Sequence, residues 1–259
     1  MSFSIEEVSR DISQWLKDYL EESRLSTFVV GVSGGVDSAV VSTLCAQTGA
    51  PLVVLNIPIN SKAENTGLST AHCDWLEANY DNVSVHTVDM GDVYNSFKNT
   101  ALQVIDVNGL ALANTKSRLR MVLLYYFATT LKGLVIGTGN KVEDFGVGFY
   151  TKYGDGGVDV SPIADLTKTQ VRALAQNLGI LTQIIEAPPT DGLWEDSRTD
   201  EEQIGASYEE LEWAMDYVDH ERDHQLSSRQ QEVLDIFLNY RTKNAHKMNP
   251  IPVYAYKGE

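Results

Sequence analysis

Six consecutive residues, Ser33-Gly34-Gly35-Val36-Asp37-Ser38, place two glycines, two hydroxyls and one carboxylate directly after an apolar run. Glycine permits positive φ and close backbone approach, and a helix starting here aims its unpaired N–H groups at an anion. The chemistry this suits is phosphate binding. The segment satisfies neither GxxxxGK[ST] nor GxGxxG, which excludes a Walker A loop and a dinucleotide fingerprint. A carboxylate beside phosphate is repulsive unless a divalent metal intervenes, so Asp37, on a surface turn, is a candidate metal ligand.

Further along, Asn114 and Arg118 lie four apart on one helical face, where together they can clamp a ribose, phosphate or carboxylate. Lys168 stands at a helix start, where its charge opposes the helix dipole and a bound anion is favoured. Residues 145–161 are rich in glycine and aromatics without a sustained helical period. They read as a functional loop.

The elements that must position these residues follow from periodicity. Ile5, Val8, Ile12, Trp15, Leu16 and Leu20 form an apolar stripe, predicting a helix over 4–20. Residues 27–32 and 52–57 are continuous apolar runs suited to strands buried on both faces, with a helix over 38–48 between them. A helix over 64–79, an alternating strand over 83–88, a long apolar helix over 110–131 ending at Gly133, and a strand over 134–136 continue the pattern. This is the order of a doubly wound α/β fold with a mostly parallel sheet flanked by helices, Rossmann-like. A helix over 167–178 and C-terminal helices over 207–219 and 227–242 complete it, with a tail beyond. Residues 186–206, acidic and proline-containing, read as a mobile surface segment. One domain over 1–259 is expected.

Composition narrows the partners. With 36 acidic and 20 basic residues the formal charge is -16, which repels nucleic acid and anionic lipid surfaces, so neither nucleic acid nor membrane is expected. Cys45 and Cys73 form no CxxC pair, and no signal-like or membrane-length apolar segment occurs. A cytoplasmic location is the expectation.

The string at 33–38 resembles the SGGxDS loop of the N-type ATP pyrophosphatases, which cleave ATP between its α and β phosphates, and the resemblance implies an adenine nucleotide α-hydrolase-like fold. Additional segments resemble the ammonia-dependent NAD synthetases: Asn114-Thr-Lys-Ser-Arg118-Leu-Arg-Met121, Gly137-Thr138 followed by Glu143, Thr151-Lys-Tyr-Gly-Asp-Gly-Gly-Val-Asp159, Leu166-Thr-Lys168, Pro188-Pro-Thr190-Asp-Gly-Leu193 and His246-Lys247. Many such enzymes carry D-H-A-A where this chain has Gly139-Asn-Lys-Val142.

The resemblance implies adenylation of the nicotinate carboxylate of deamido-NAD by ATP, then amidation by ammonia to give NAD, AMP and pyrophosphate. It implies Asp37, Lys168 and Lys152 as the catalytic set. Gly31, Ser33, Gly34, Gly35, Val36, Asp37, Ser38, Thr138, Lys168 and Thr190 would bind ATP. Asn114, Arg118, Lys152, Asp159, His246 and Lys247 would bind deamido-NAD, and Asp37 and Glu143 would ligate Mg2+. It also implies a homodimer in which helix 110–131 takes part, although burial in the monomer explains that helix equally well. The alternatives are a pyrophosphatase acting on another acceptor, ammonia supplied by a separate glutaminase subunit, and a nucleotide sensor without turnover.

Overall fold

A computed structural model of the chain describes residues 4–60, 63–106, 108–190, 199–220 and 225–256. Four strands, β1 (Thr27–Gly31), β2 (Leu52–Asn56), β3 (Val83–Thr87) and β4 (Gly133–Val135), pair in parallel in the order β3-β2-β1-β4. An isolated parallel bridge between Ile136 and Val160 extends the sheet beyond β4. The chain steps outward from β1 to β3, then returns to the far side of β1. That reversal puts a crevice at the carboxyl ends of β1 and β4, where α/β sheets bind ligands.

Alternation along the strands divides the core into two layers. Phe28 and Val30 of β1 face helices α1 (Ile5–Glu22), α2 (Val36–Gln47) and α6 (Lys168–Asn177), whereas Val29, Val53, Leu55 and Val135 face α4 (Gly91–Ala101) and α5 (Gly109–Leu131). Helix α3 (Ala63–Asn79) packs on β2 and β3. Strands β1 and β2 are buried almost throughout, as their continuous apolar runs predict, while β3 alternates because it is an edge.

Several expectations need correction. Trp15 is 44% exposed and leaves the stripe of α1, whose other members hold: Leu16 and Leu20 are buried, and Ile5, Val8 and Ile12 pack partly buried beside them. Helix α4 has no counterpart in the sequence reading. At the end of α5 the left-handed residue is Lys132 (φ 52), not Gly133. Gly133 serves a different purpose, since a Cβ there would lie 2.8 Å from Thr27 O and push β4 off β1. Residues Lys141–Val147 form a π-helix rather than the start of a loop, and its wider period leaves no 3.6-residue pattern to detect.

Within the segment read as mobile, Thr199 and Glu202 form a capping box that starts α8 (Asp200–Ile204), and Ile204 and Ala206 are buried. Residues 191–198 lie outside the described residues. A short helix, α7 (Thr182–Ile185), precedes it, and α9 (Tyr208–Asp219) follows. Helix α10 (Ser228–Met248) runs well beyond residue 242, so His246 and Lys247 sit on its last turn and not in a tail. Together α9, α10 and the π-helix enclose a further core around Val142, Val147, Tyr208, Leu211 and Phe237.

Candidate active site

The 33–38 loop closes on itself. Gly34 adopts φ +91, which a side chain rarely tolerates. Ser33 N donates to Ser38 Oγ at 3.2 Å, Ser38 Oγ donates to Gly35 O at 3.0 Å, and Gly35 N donates to Ser33 Oγ at 3.2 Å. Gly31 ends β1 immediately before, and buried Val36 anchors the loop from behind. No side chain caps α2, so its first-turn N–H groups are available to an anion.

Asp37 is not on an open surface turn. Its side chain is 15% exposed and pairs with Lys168 Nζ, which also donates to Glu143 Oε1 at 2.8 Å. A capping box from Thr167 and Gln170 starts α6, fixing Lys168 on its first turn with the side chain turned inward. Glu143 is set by Asn140, a fully buried residue whose Oδ1 accepts from Val142 N and Glu143 N, both at 3.1 Å, and starts the π-helix. The Tyr208 hydroxyl donates to Glu143 as well, and its ring lies 4.9 Å from Lys168 Nζ.

Electrostatics follow from this packing. Burial raises the Asp37 carboxyl, and Lys168 only partly offsets it. Burial also pushes Glu143 upward, but Lys168 and the hydrogen bonds it receives outweigh this and hold it below its ordinary value. For Lys168, burial opposes the charge, yet Asp37 and Glu143 together keep the ammonium firmly protonated. Burial, then the charges of Glu143 and Asp200, raise Tyr208 so that it remains a donor. Two carboxylates already sharing one cation are a hard-oxygen donor set of the size Mg2+ takes when substrate phosphates supply the remainder. The residues present fit that ion.

A second group gathers around the glycine-rich loop. Thr151 Oγ1 donates to Asn114 Oδ1 at 2.8 Å, Ser117 Oγ to Asp155 Oδ1 at 2.6 Å, and Arg118 Nε to Lys152 O at 3.3 Å. Lys152 Nζ donates to His246 O at 2.6 Å, and Lys247 Nζ to Gly148 O and Tyr150 O at 2.8 and 2.7 Å. Helix α5, the loop and the end of α10 are thus joined, bringing Asn114, Arg118, Lys152, His246 and Lys247 together. Close packing explains the loop glycines: a Cβ on Gly154 would lie 2.2 Å from Ser117 Oγ, and one on Gly157 2.9 Å from Met121.

Two expected residues stand apart. Both oxygens of Asp159 are engaged by protein, accepting from Tyr125 OH at 3.0 Å and Val135 N at 2.8 Å, which ties the loop to β4. Thr190 is exposed, one position after Pro189, whose carbonyl accepts from Asp200 N at 3.0 Å. Half-buried Thr138 follows β4 at the crevice. The sequence reading missed Asn140, Tyr208, Asp144 and Asp155. The Asx start at Asn140 was detectable as a cap signal, whereas nothing local marks Tyr208.

Comparison with known proteins places this arrangement in context. The model of the family described as NAD synthase matches residues 8–251. An NH(3)-dependent NAD(+) synthetase of Carboxydothermus hydrogenoformans is 37% identical, with 95% of this chain and 96% of the relative covered. One from Methanocaldococcus jannaschii is 33% identical, covering 94% and 95%. Among solved structures, an NMN synthetase from Francisella tularensis superposes with a TM-score of 0.86 at 29% identity, over 98% of this chain and all of the other. An NH3-dependent NAD synthetase from Campylobacter jejuni shares the fold with a TM-score of 0.79 at 23% identity, over 98% of this chain and all of the other.

Proposed function

Because this chain belongs to the NAD synthase family, we propose that ATP and the nicotinate carboxylate of deamido-NAD meet at the cluster of Asp37, Glu143 and Lys168. The chain is an ammonia-dependent ligase forming a C–N bond: deamido-NAD, ATP and ammonia give NAD, AMP and pyrophosphate. The carboxylate attacks the α-phosphorus of ATP, pyrophosphate departs, and ammonia displaces AMP from the acyl adenylate. No protein nucleophile is required, so catalysis rests on positioning and charge.

The observation that carries this assignment of residues is the buried ammonium of Lys168 shared by two carboxylates at the carboxyl ends of the sheet. Ser33 to Ser38, with Gly31 behind them, would receive the departing pyrophosphate at the start of α2, and Thr138, Lys168 and Thr190 would complete the ATP side. Asp37 and Glu143 would hold Mg2+, which when bound neutralises phosphate charge. Lys168, whose ammonium lies against the same two carboxylates, would add positive charge on the phosphate side. Asn114, Arg118, Lys152, Asp159, His246 and Lys247 would form the deamido-NAD side, with Asp159 acting through the loop it secures.

Supporting a homodimer, α5 packs Leu123, Leu124 and Phe127 partly buried against the sheet yet leaves Val122 and Tyr126 exposed, and α4 beside it exposes Val93 and Phe97. The described residues read as one domain, because α9 supplies Tyr208 to the same cluster as the sheet. No helix among the described residues is long and apolar enough to cross a membrane, and the cytoplasm, where ATP is available, is the proposed location.

The test is AMP and NAD formation by the purified chain with ATP, Mg2+ and deamido-NAD, supplied with ammonium or glutamine. Ammonium-supported turnover is expected. AMP production that ignores deamido-NAD but responds to the mononucleotide acid would transfer the assignment to an NMN-forming enzyme, and turnover with glutamine alone would defeat direct use of ammonia.

A further inference from the structure

Tyr208 touches two members of the Asp37, Glu143 and Lys168 cluster at once. Its hydroxyl donates to Glu143 Oε1, the same oxygen that accepts from Lys168 Nζ at 2.8 Å, and its ring lies 4.9 Å from that ammonium. Both donors converge on one oxygen of Glu143, and Oε2 receives neither. Asp37 is divided in the same sense: Oδ2 pairs with Lys168, while Asn140 Nδ2 approaches Oδ1 at 3.5 Å.

The phenol is held firmly from behind. Tyr208 is 1% exposed, in the core that α9 and α10 form with the π-helix. Its backbone N donates to Glu201 Oε1 at 2.9 Å, at the first position of a helix started by the Ser207 capping box. Tyrosine turns about fewer side-chain bonds than glutamate or lysine, so once buried it is the rigid partner of the three. Its hydroxyl has one proton and two carboxylates beside it. Asp200 Oδ2 is 3.3 Å away, beyond the usual range of about 2.5–3.0 Å for an O–H···O bond, and Glu143 is the nearer acceptor.

We infer that Tyr208 is a positioning residue for the metal site: it fixes the rotation of the Glu143 carboxylate, so that Oε1 stays turned to the protein and Oε2 is the oxygen given to a divalent ion. The inference rests on the reading of Asp37 and Glu143 as metal ligands. Lys168 does not fix that rotation by itself, because it is a flexible point charge shared between two carboxylates. Groups behind a metal ligand orient it, and losing one typically weakens metal affinity about ten- to a hundredfold.

The experiment measures Mn2+ binding to the full chain without nucleotide, from the loss of the free ion's paramagnetic resonance signal, with Mg2+ as competitor. Tyr208→Phe keeps the ring beside Lys168 and removes only the hydroxyl. It should weaken both ions about ten- to a hundredfold. In steady-state NAD formation it should raise the Mg2+ concentration needed for half-maximal rate by a similar factor and regain most of kcat at high Mg2+. The KM for deamido-NAD at saturating Mg2+ should stay within about twofold. Leu211→Ala, from a fully buried position in the same core and with no hydrogen bond to lose, should lower the melting temperature yet keep metal affinity within about twofold.

Unchanged metal affinity in Tyr208→Phe would overturn the proposal. So would an equal weakening in Leu211→Ala, or a Tyr208→Phe chain that loses the parent's circular dichroism, because the residue would then be serving the fold and not the carboxylate. Asp37→Asn binding Mn2+ as tightly as the parent would instead remove the metal reading beneath it.

Discussion

Replacing Lys168 by methionine keeps most of the side-chain volume and removes the charge. Its side chain is 4% exposed and those of Asp37 and Glu143 are 15% exposed, so solvent screens the resulting carboxylate pair poorly. Removing one partner from a buried ion pair typically costs about 3–5 kcal/mol. For a chain of this size, each kcal/mol lowers the melting temperature by roughly 2–4 °C, so a fall of about 6–20 °C is expected. The two freed carboxylates should then bind Mg2+ more tightly than the parent does without nucleotide. At ten times its Kd the ion restores about 1.4 kcal/mol. The assay is differential scanning fluorimetry with and without Mg2+, paired with isothermal titration of the ion. A fall below about 3 °C, or Mg2+ stabilising parent and variant equally, would refute the view that the lysine and the metal share one pair of oxygens.

Other perturbations separate the parts. Arg118→Ala, at an exposed position on α5, should raise the KM for deamido-NAD about tenfold and leave that for ATP unchanged, as steady-state kinetics will show. A fall in ATP affinity would contradict the division of the two sides. His72 is fully buried against Ser42 Oγ at 2.9 Å, and burial lowers its pKa from 6.5 to about 4. The unfolded chain therefore gains a proton that the folded chain refuses. Stability present above about pH 6.5 should be lost as pH falls towards 4, by about 1.4 kcal/mol per pH unit for this one group. His72→Gln should flatten that slope in urea denaturation, and parallel curves for the two proteins would count against it. Tyr126→Glu on the exposed face of α5 should shift a dimer to monomer in sedimentation velocity, with no change in helix content by circular dichroism.

What was readable in the linear chain is what depends on near neighbours. The Ser33–Ser38 loop is a local object, because its glycine backbone and two hydroxyls satisfy one another within six residues. Strands β1 and β2 were legible because burial on both faces demands unbroken apolar runs, and α6 because Thr167 and Gln170 cap it locally. The Thr151–Asp159 string was recognisable as a unit, and the structure shows why: its glycines pack where side chains cannot fit.

The remainder depended on contacts between distant segments. The π-helix escaped notice because its period is not 3.6 residues, and α8 because its five residues are too few to show an apolar period, although Thr199 and Glu202 cap it locally. Sequence alone pointed to a candidate phosphate loop in a doubly wound α/β frame and, through the family resemblance, to two candidate metal carboxylates. Only the tertiary structure decided that Asp37 is buried against a lysine 131 positions away, that Tyr208 joins them, and that the Asp144 carboxyl packs over Gly139. The reason is physical: desolvation and pairing energies are set by what surrounds a charge in space, and residues remote along the chain supply those surroundings.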